Sequence, residues 1–208
     1  MKRVFDFMFA GVLLCVLWPL LLVIAAAVKA DSLGPALYRG SRAGFQGRPF
    51  LILKFRTMVL GADRLGGPST ANDDPRLTRF GKFLRKYKLD EFPQLINVFT
   101  GEMSFVGPRP EVLSEVQAYS TEERELLTVR PGITDWASLQ FRDEGGILEG
   151  TGDPHQAYRK IIRPEKIKLG LQYVRQRSFF TDMVILAETA RTVVGIGRSK
   201  RMPEERHT

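Results

Sequence analysis

Two adjacent carboxylates, Asp90 and Glu91, follow the cations Arg85, Lys86 and Lys88. A carboxylate held among cations stays ionised and can act as nucleophile or metal ligand. Magnesium prefers carboxylates combined with substrate phosphate oxygens, so such a pair beside a diphosphate suits it. The plainer reading is a helix start, since Asp is a favoured N-cap and Glu suits a first turn. The dyad by itself does not choose between them.

Further cations stand elsewhere in the chain. In Leu53-Lys54-Phe55-Arg56-Thr57-Met58, strand alternation puts Lys54 and Arg56 on one face, although a solvated strand face would look the same. Arg109 lies between Pro108 and Pro110, which restrict the backbone on both sides and present the guanidinium rigidly, as bidentate phosphate binding requires. His155 reads as an ordinary helix-start histidine.

Composition removes several chemistries. The 208 residues include one cysteine, Cys15, and two histidines, which excludes an internal disulfide and a cysteine zinc site and leaves a Ser-His-Asp mechanism poorly supplied. No Gly-x-Gly-x-x-Gly or Walker loop occurs. A net charge of +8 implies an anionic partner: nucleic acid, an acidic membrane surface or phosphate-bearing substrates. The absence of a nucleic-acid motif, together with an apolar N-terminus, argues against the first.

Those side chains must be held by the elements around them, and the first is an anchor. From Phe7 to Val28 run 22 residues without a charge, enough to cross a bilayer. Three readings compete: a cleavable signal, a kinked span, and a helix that enters and returns. Pro19 near the middle deletes a helical hydrogen bond and forces a bend. Lys2 and Arg3 precede the block while Lys29, Arg39, Arg42 and Arg48 follow it, so both ends carry the charge that prefers the cytoplasmic side. The residues leave span and return open.

Beyond a turn-rich junction at 31–35, two strand-like runs, 36–38 and 49–55, flank a loop at 40–47. Residues 61–75 are rich in Gly, Asp, Asn, Ser and Pro and read as a second loop. Helices are expected at 75–86 and from Asp90, where Phe92, Leu95, Ile96 and Phe99 recur at helical spacing and Pro93 stands in the first turn. A short apolar run follows at 103–106, then a polar-faced helix at 111–127. The Pro-Gly turn at 130–134 leads into 136–141, an acidic loop covers 143–153, and Asp153-Pro154 opens another helix. Ile167, Leu171 and Val174 share one face, as do Phe180, Val184 and Ala187; both stretches could lie at a membrane interface or pack on the core. The sum is an α+β, mainly helical fold: a small domain with short strands, a kinked N-terminal membrane helix and amphipathic helices for an interface. Its expected parts are an anchor at 1–33, a catalytic domain at 34–197 and a charged tail at 198–208.

Seven segments in order then identify the chain as similar to the monotopic phosphoglycosyl transferases, the bacterial sugar transferases that begin glycoconjugate assembly. They are Lys2-Arg3-Val4-Phe5-Asp6, the proline-broken apolar segment, Lys54-Phe55-Arg56-Thr57-Met58, Asp74-Pro75-Arg76-Leu77-Thr78-Arg79, Leu89-Asp90-Glu91-Phe92-Pro93-Gln94-Leu95, Val106-Gly107-Pro108-Arg109-Pro110-Glu111 and Arg130-Pro131-Gly132-Ile133-Thr134. The resemblance implies a re-entrant first helix kinked at Pro19, with the domain on the cytoplasmic face of the bacterial inner membrane and in contact with its lipids. It implies that Asp90 attacks the β-phosphate of a UDP-sugar, releases UMP and forms a phospho-sugar ester, which a polyprenyl (undecaprenyl) phosphate then takes over. Glu91 assists through metal binding or proton handling, and Mg2+ is the expected cofactor, held by Asp90 and Glu91. Lys54, Arg85 and Arg109 match positions linked to substrate phosphates. No counterpart of the extra membrane helices of larger members is read in this sequence, and a minimal catalytic form is expected.

Two departures stand out. Trp18 replaces the serine that many members carry before the kink proline. Asp135-Trp136-Ala137-Ser138-Leu139-Gln140-Phe141-Arg142 replaces the usual Gly-Trp-Ala-Gln-Val-Asn-Gly-Arg, a change that bears on sugar choice. Two other readings remain beside covalent transfer: direct transfer in a ternary complex with the dyad only holding magnesium, and a silent membrane anchor for a glycosyltransferase partner. No nucleic acid is expected as a partner, and a homodimer is left open.

Overall fold

A computed structural model describes residues 1–193; the tail expected at 198–208 lies outside the described residues. The chain begins with one helix, α1 (Lys2–Asp31), that continues through Pro19. At 1.5 Å per residue it is about 45 Å long. It is the one helix among the described residues long and apolar enough to cross a membrane, and little of its apolar stretch is covered by protein. Val12, Val16, Trp18, Leu22 and Val23 are all more than half exposed.

Both ends of α1 are tied to the same globular body. Near its start, the Lys2 ammonium donates to the Val106 carbonyl at 2.9 Å and pairs with Asp182 at 2.5 Å. Arg3 donates to the carbonyls of Val98 and Phe99 at 2.6 and 3.0 Å. At its end, Asp31 accepts from the Phe80 amide at 3.1 Å. Between them Phe7 stacks on Phe99 with ring centroids 4.6 Å apart. The helix therefore lies along the domain rather than projecting from it.

Strands β1 (Leu37–Ala43) and β2 (Pro49–Phe55) form an antiparallel hairpin pairing Leu37 with Phe55 and Ala43 with Pro49. The first strand is longer than expected, because Gly40 to Ala43, read as loop, are paired by residues 49–52. The turn falls instead at Gln46 and Gly47, both at positive φ.

The loop at 61–75 is as expected apart from a single 3-10 turn, Ala62–Arg64. Helix α2 (Arg79–Lys86) starts four residues later than the expected Pro75. Residues 76–78 are pulled into extended pairing instead: Val59 N–H donates to Arg76 at 2.9 Å and Thr78 N–H to Thr57 at 3.0 Å. Thr78 then caps the helix by accepting from Gly81 N–H at 3.0 Å. Gly81 is needed at that contact, since a Cβ there would lie 2.1 Å from the Thr57 carbonyl oxygen.

The dyad does not open the following helix. Leu89–Glu91 is a separate 3-10 turn, and α3 (Gln94–Thr100) begins after Pro93, ending at Gly101 with φ 92°. Asn97 on α3 fastens it to β2, accepting from Leu53 N–H at 3.0 Å and donating to the Leu51 carbonyl at 2.8 Å. Strands β3 (Ser104–Val106) and β4 (Gly132–Thr134) pair in parallel. Their ends touch so closely that a Cβ on Gly132 would sit 2.2 Å from the Gly107 nitrogen. This contact fixes the start of the Gly107-Pro108-Arg109-Pro110 loop.

The single helix expected at 111–127 is two pieces, α4 (Leu113–Gln117) and a 3-10 segment, Glu123–Thr128. The break is a capping box: Ser120 and Glu123 exchange side-chain to backbone hydrogen bonds at 2.8 and 3.2 Å and start a new turn. Helix α5 (Trp136–Gln140) is capped by Asp135. The acidic loop contains a short helix, α6 (Glu144–Ile147), because Asp143 caps Gly146. Asp153 caps α7 (Pro154–Ala157) as expected.

Helices α8 (Arg163–Gln176) and α9 (Phe179–Val193) close the domain. Leu171 and Val174 face inward, and α9 is rotated so that Asp182 and Ile185 are buried while the face of Phe180, Val184 and Ala187, left open between interface and core, is turned outward, with Phe180 78% exposed. Asp182 sets that rotation, since it accepts from both Lys2 and the Tyr173 hydroxyl. The core runs from Val98 and Met103 through Val106 to Ile185.

Candidate active site

Three segments meet at the dyad. Strand β2 delivers Lys54, the 3-10 turn delivers Asp90 and Glu91, and the double-proline loop after β3 delivers Arg109. Lys54 Nζ lies 3.1 Å from Glu91 Oε1. Arg109 grips the same carboxylate with both terminal nitrogens, Nη1 reaching Oε2 at 3.2 Å and Nη2 reaching Oε1. The rigid presentation of Arg109 is therefore met by a carboxylate within the protein, in the bidentate geometry the guanidinium fork favours.

Asp90 is different. It is 7% exposed, yet its side chain makes no hydrogen bond or ion pair among the described residues. Burial pushes its carboxyl above the usual aspartate range, with Lys54 opposing and the neighbouring Glu91 charge adding to the rise. Burial acts the same way on Glu91, but Arg109 and Lys54 outweigh it and hold that carboxyl well below its usual range. Environment thus separates two adjacent acids into one clamped and one unengaged.

The surrounding cations are also unequal. Arg85, at the end of α2, donates to the Thr70 carbonyl at 3.3 Å, and burial lowers its pKa while Asp90 and Glu91 counter. Lys54 is likewise lowered by burial, against Glu91. Glu91 raises Arg109. All of Lys54, Arg85, Arg109, Asp90 and Glu91, the residues expected to act, are brought together.

Arg56 is not. Expected to share a face with Lys54, it is buried at the joint behind α1, donating to the carbonyls of Pro35 and Ser32 at 2.7 and 2.8 Å and to the Ser32 hydroxyl at 2.7 Å. Strand β2 ends at Phe55, so alternation no longer governs the next residue. His155 holds the 61–75 loop, its Nδ1 3.1 Å from the Ser69 hydroxyl.

Other residues near the dyad carried no role of their own in sequence. Lys88 was one cation in a run, yet it sits at φ 58°, ψ 20°, a left-handed backbone uncommon for a residue with a side chain. Although exposed, its ammonium pKa is lowered, by desolvation at the crowded mouth of the site and then by Arg109. Glu144 on α6 pairs with Lys166 on α8, and buried Asp135 lies behind them; burial raises its carboxyl, with Ser138 opposing. Their separation in the chain hid this wall of the site.

No group of three or more His, Cys, Asp or Glu side chains able to cage a metal occurs among the described residues. Both Glu91 oxygens are engaged by cations, which leaves Asp90 as the unengaged carboxylate of the dyad. That donor set fits magnesium bound by one or two carboxylates with substrate phosphates and water completing the shell, and not an all-protein cage.

Comparison with known proteins places the chain among relatives. The family model described as bacterial sugar transferase matches residues 1–195. An uncharacterized sugar transferase of Bacillus subtilis, EpsL, is 35% identical over 211 residues, covering 100% of this chain and 96% of its own length. A UDP-glucose:undecaprenyl-phosphate glucose-1-phosphate transferase of Escherichia coli is 37% identical, covering 89% of this chain and 38% of its own length. A UDP-N-acetylgalactosamine-undecaprenyl-phosphate N-acetylgalactosaminephosphotransferase of Aeromonas hydrophila is 33% identical, covering 93% of this chain and 43% of its own. The chain thus spans nearly all of the Bacillus relative and less than half of the other two.

Proposed function

Because this chain belongs to the bacterial sugar transferase family, we propose that it transfers a sugar-1-phosphate from a UDP-sugar to polyprenyl phosphate through a covalent intermediate on Asp90. The observation that carries this reading is the contrast within the dyad: Asp90 is buried and unengaged, while Glu91 is clamped by Arg109 and Lys54. A nucleophile must be free to approach phosphorus, and a positioning group must not be.

An Asp90 carboxylate oxygen attacks the β-phosphorus of the UDP-sugar. The bond from that phosphorus to the bridging oxygen breaks, and UMP leaves with the electron pair. A polyprenyl phosphate oxygen then attacks the same phosphorus, the bond to Asp90 breaks, and the free carboxylate returns. Lys54, Arg85 and Arg109 neutralise charge on the phosphoryl oxygens as it builds. Glu91 keeps Lys54 and Arg109 in place. Asp90, the unengaged carboxylate of the dyad expected to hold magnesium, would hold that ion, which would offset the diphosphate charge.

The same reading covers the membrane. The attachment of both ends of α1 to one domain supports a helix that enters and leaves a single leaflet, and the cations at both ends support a domain on the cytoplasmic face of the inner membrane. UMP release by detergent-solubilised protein from a panel of UDP-sugars, with and without undecaprenyl phosphate and magnesium, tests the activity. Release that depends on one sugar and on magnesium supports it; no release from folded protein with any donor overturns it.

A further inference from the structure

Helix α2 carries an aromatic ladder that the transfer chemistry does not use. Phe80 and Phe83 stack with centroids 5.7 Å apart, and Phe83 meets Tyr87 at 4.9 Å. The inner end of the ladder, Phe80, packs in the cluster around Ile24, Val28 and Leu84, where α1 meets the domain. Its outer end is open: Phe83 is 48% and Tyr87 51% exposed. The apolar surface of α1 thus reaches α2 through Phe80, with the Asp31 carboxylate at the same joint and the Lys86 ammonium over the Tyr87 ring at 5.7 Å.

Immediately beyond Tyr87 stands Lys88. Among the nearby cations, Lys54 and Arg109 hold Glu91, and Arg85 holds the Thr70 carbonyl. The Lys88 ammonium has no ion pair or side-chain hydrogen bond among the described residues. Its left-handed backbone turns the chain sharply between the ladder and Asp90, two residues on. Such strain persists where the surrounding structure imposes it, often at ligand sites.

We propose that Phe83, Tyr87 and Lys88 form the acceptor subsite, the aromatic pair seating the first isoprene units of the polyprenyl phosphate and Lys88 receiving its phosphate. This rests on the transferase reading. Continuity with α1 and charge complementarity commit the surface to this occupant: an isoprenoid leaving the bilayer along α1 meets the exposed rings first and an unpaired cation next, beside Asp90. The donor diphosphate takes the other cations, so the two phosphates need not compete for the same groups.

Binding of farnesyl phosphate and of UDP-glucose to the full chain in nanodiscs, by titration calorimetry, tests this directly. Lys88→Ala is expected to weaken farnesyl phosphate about tenfold, the scale of one charge-assisted hydrogen bond. UDP-glucose affinity is expected to stay within about twofold, and Lys88→Arg to recover most of the loss. Phe83→Ala with Tyr87→Ala should weaken farnesyl phosphate while leaving UDP-glucose unchanged. Equal farnesyl phosphate affinity in Lys88→Ala, or a matching loss for UDP-glucose, overturns the subsite. Failure of the unmodified chain to bind farnesyl phosphate overturns the transferase reading itself.

Discussion

Arg109 holds both carboxylate oxygens of Glu91, and the aspartate next to Glu91 in the chain holds nothing. On the proposed reading, a diphosphate entering the site meets a guanidinium already oriented by an internal carboxylate, so little reorganisation accompanies binding. The proposal gives the free acid the role that requires freedom.

Asp90→Asn is expected to cut turnover by about 10³-fold or more while the fold and membrane insertion persist, because the amide cannot form the ester. Near-normal turnover would remove Asp90 as nucleophile.

The pH dependence of the proposed first half-reaction follows from burial. On the covalent reading Asp90 attacks as the carboxylate, and burial raises its pKa above the ordinary 3.8. The UMP burst should therefore fall as pH drops through a value higher than 3.8. A burst that persists to an ordinary aspartate pKa would contradict the placement.

Glu91→Gln leaves Lys54 and Arg109 without their counter-charge and should destabilise the fold by about 2–3 kcal/mol, by denaturant unfolding, toward the lower end for a buried pair because Arg109 remains partly exposed. The folded Glu91 pKa lies below its ordinary 4.5, so the stability that it contributes is complete above that value and is lost as pH falls through the lower folded one. The difference between parent and Glu91→Gln should accordingly shrink on acidification.

Gly81→Ala forces a Cβ to within 2.1 Å of the Thr57 carbonyl, so α2 must shift. A loss of about 1–3 kcal/mol is expected, the usual scale for overpacking. Since α2 carries Arg85, activity should fall with it. Unchanged stability and activity would contradict the packing of α2 on the end of β2.

Much of this site was legible in the residues. The dyad, Lys54 and the rigid Arg109 stood out by type and neighbours, and the structure joins them with Arg85. What sequence could not show was the partner of each. Arg109 looked ready for phosphate because Glu91 is 18 residues away and its return to that loop depends on the β3–β4 contact. The helix expected from Asp90 was misplaced because Pro93 and the left-handed Lys88 isolate the dyad in its own turn. The hairpin was half seen, since Gly40 and Ser41 have no strand preference and are paired by Ile52 and Leu51. The rotation of α9 follows from Asp182 meeting Lys2 at the far end of the chain, a contact no local pattern encodes.

The attachment of α1 at both ends makes a topological prediction. With Cys15→Ser as background, single cysteines at Met1 and at Leu33, each exposed, should react with an impermeant maleimide from the same side of sealed vesicles. Labelling from opposite sides would establish a span and contradict the docking of both ends on one domain.

The most direct test of the central claim is the intact mass of the chain after brief incubation with its UDP-sugar and magnesium, in the absence of any polyprenyl phosphate. The expected result is a mass increase of one sugar phosphate with one equivalent of UMP released, mapped by proteolysis to Asp90 and discharged when polyprenyl phosphate is added. UMP that appears only when the acceptor is present, with no adduct on the chain under rapid quench, would contradict covalent transfer and leave the dyad holding substrates for a direct one.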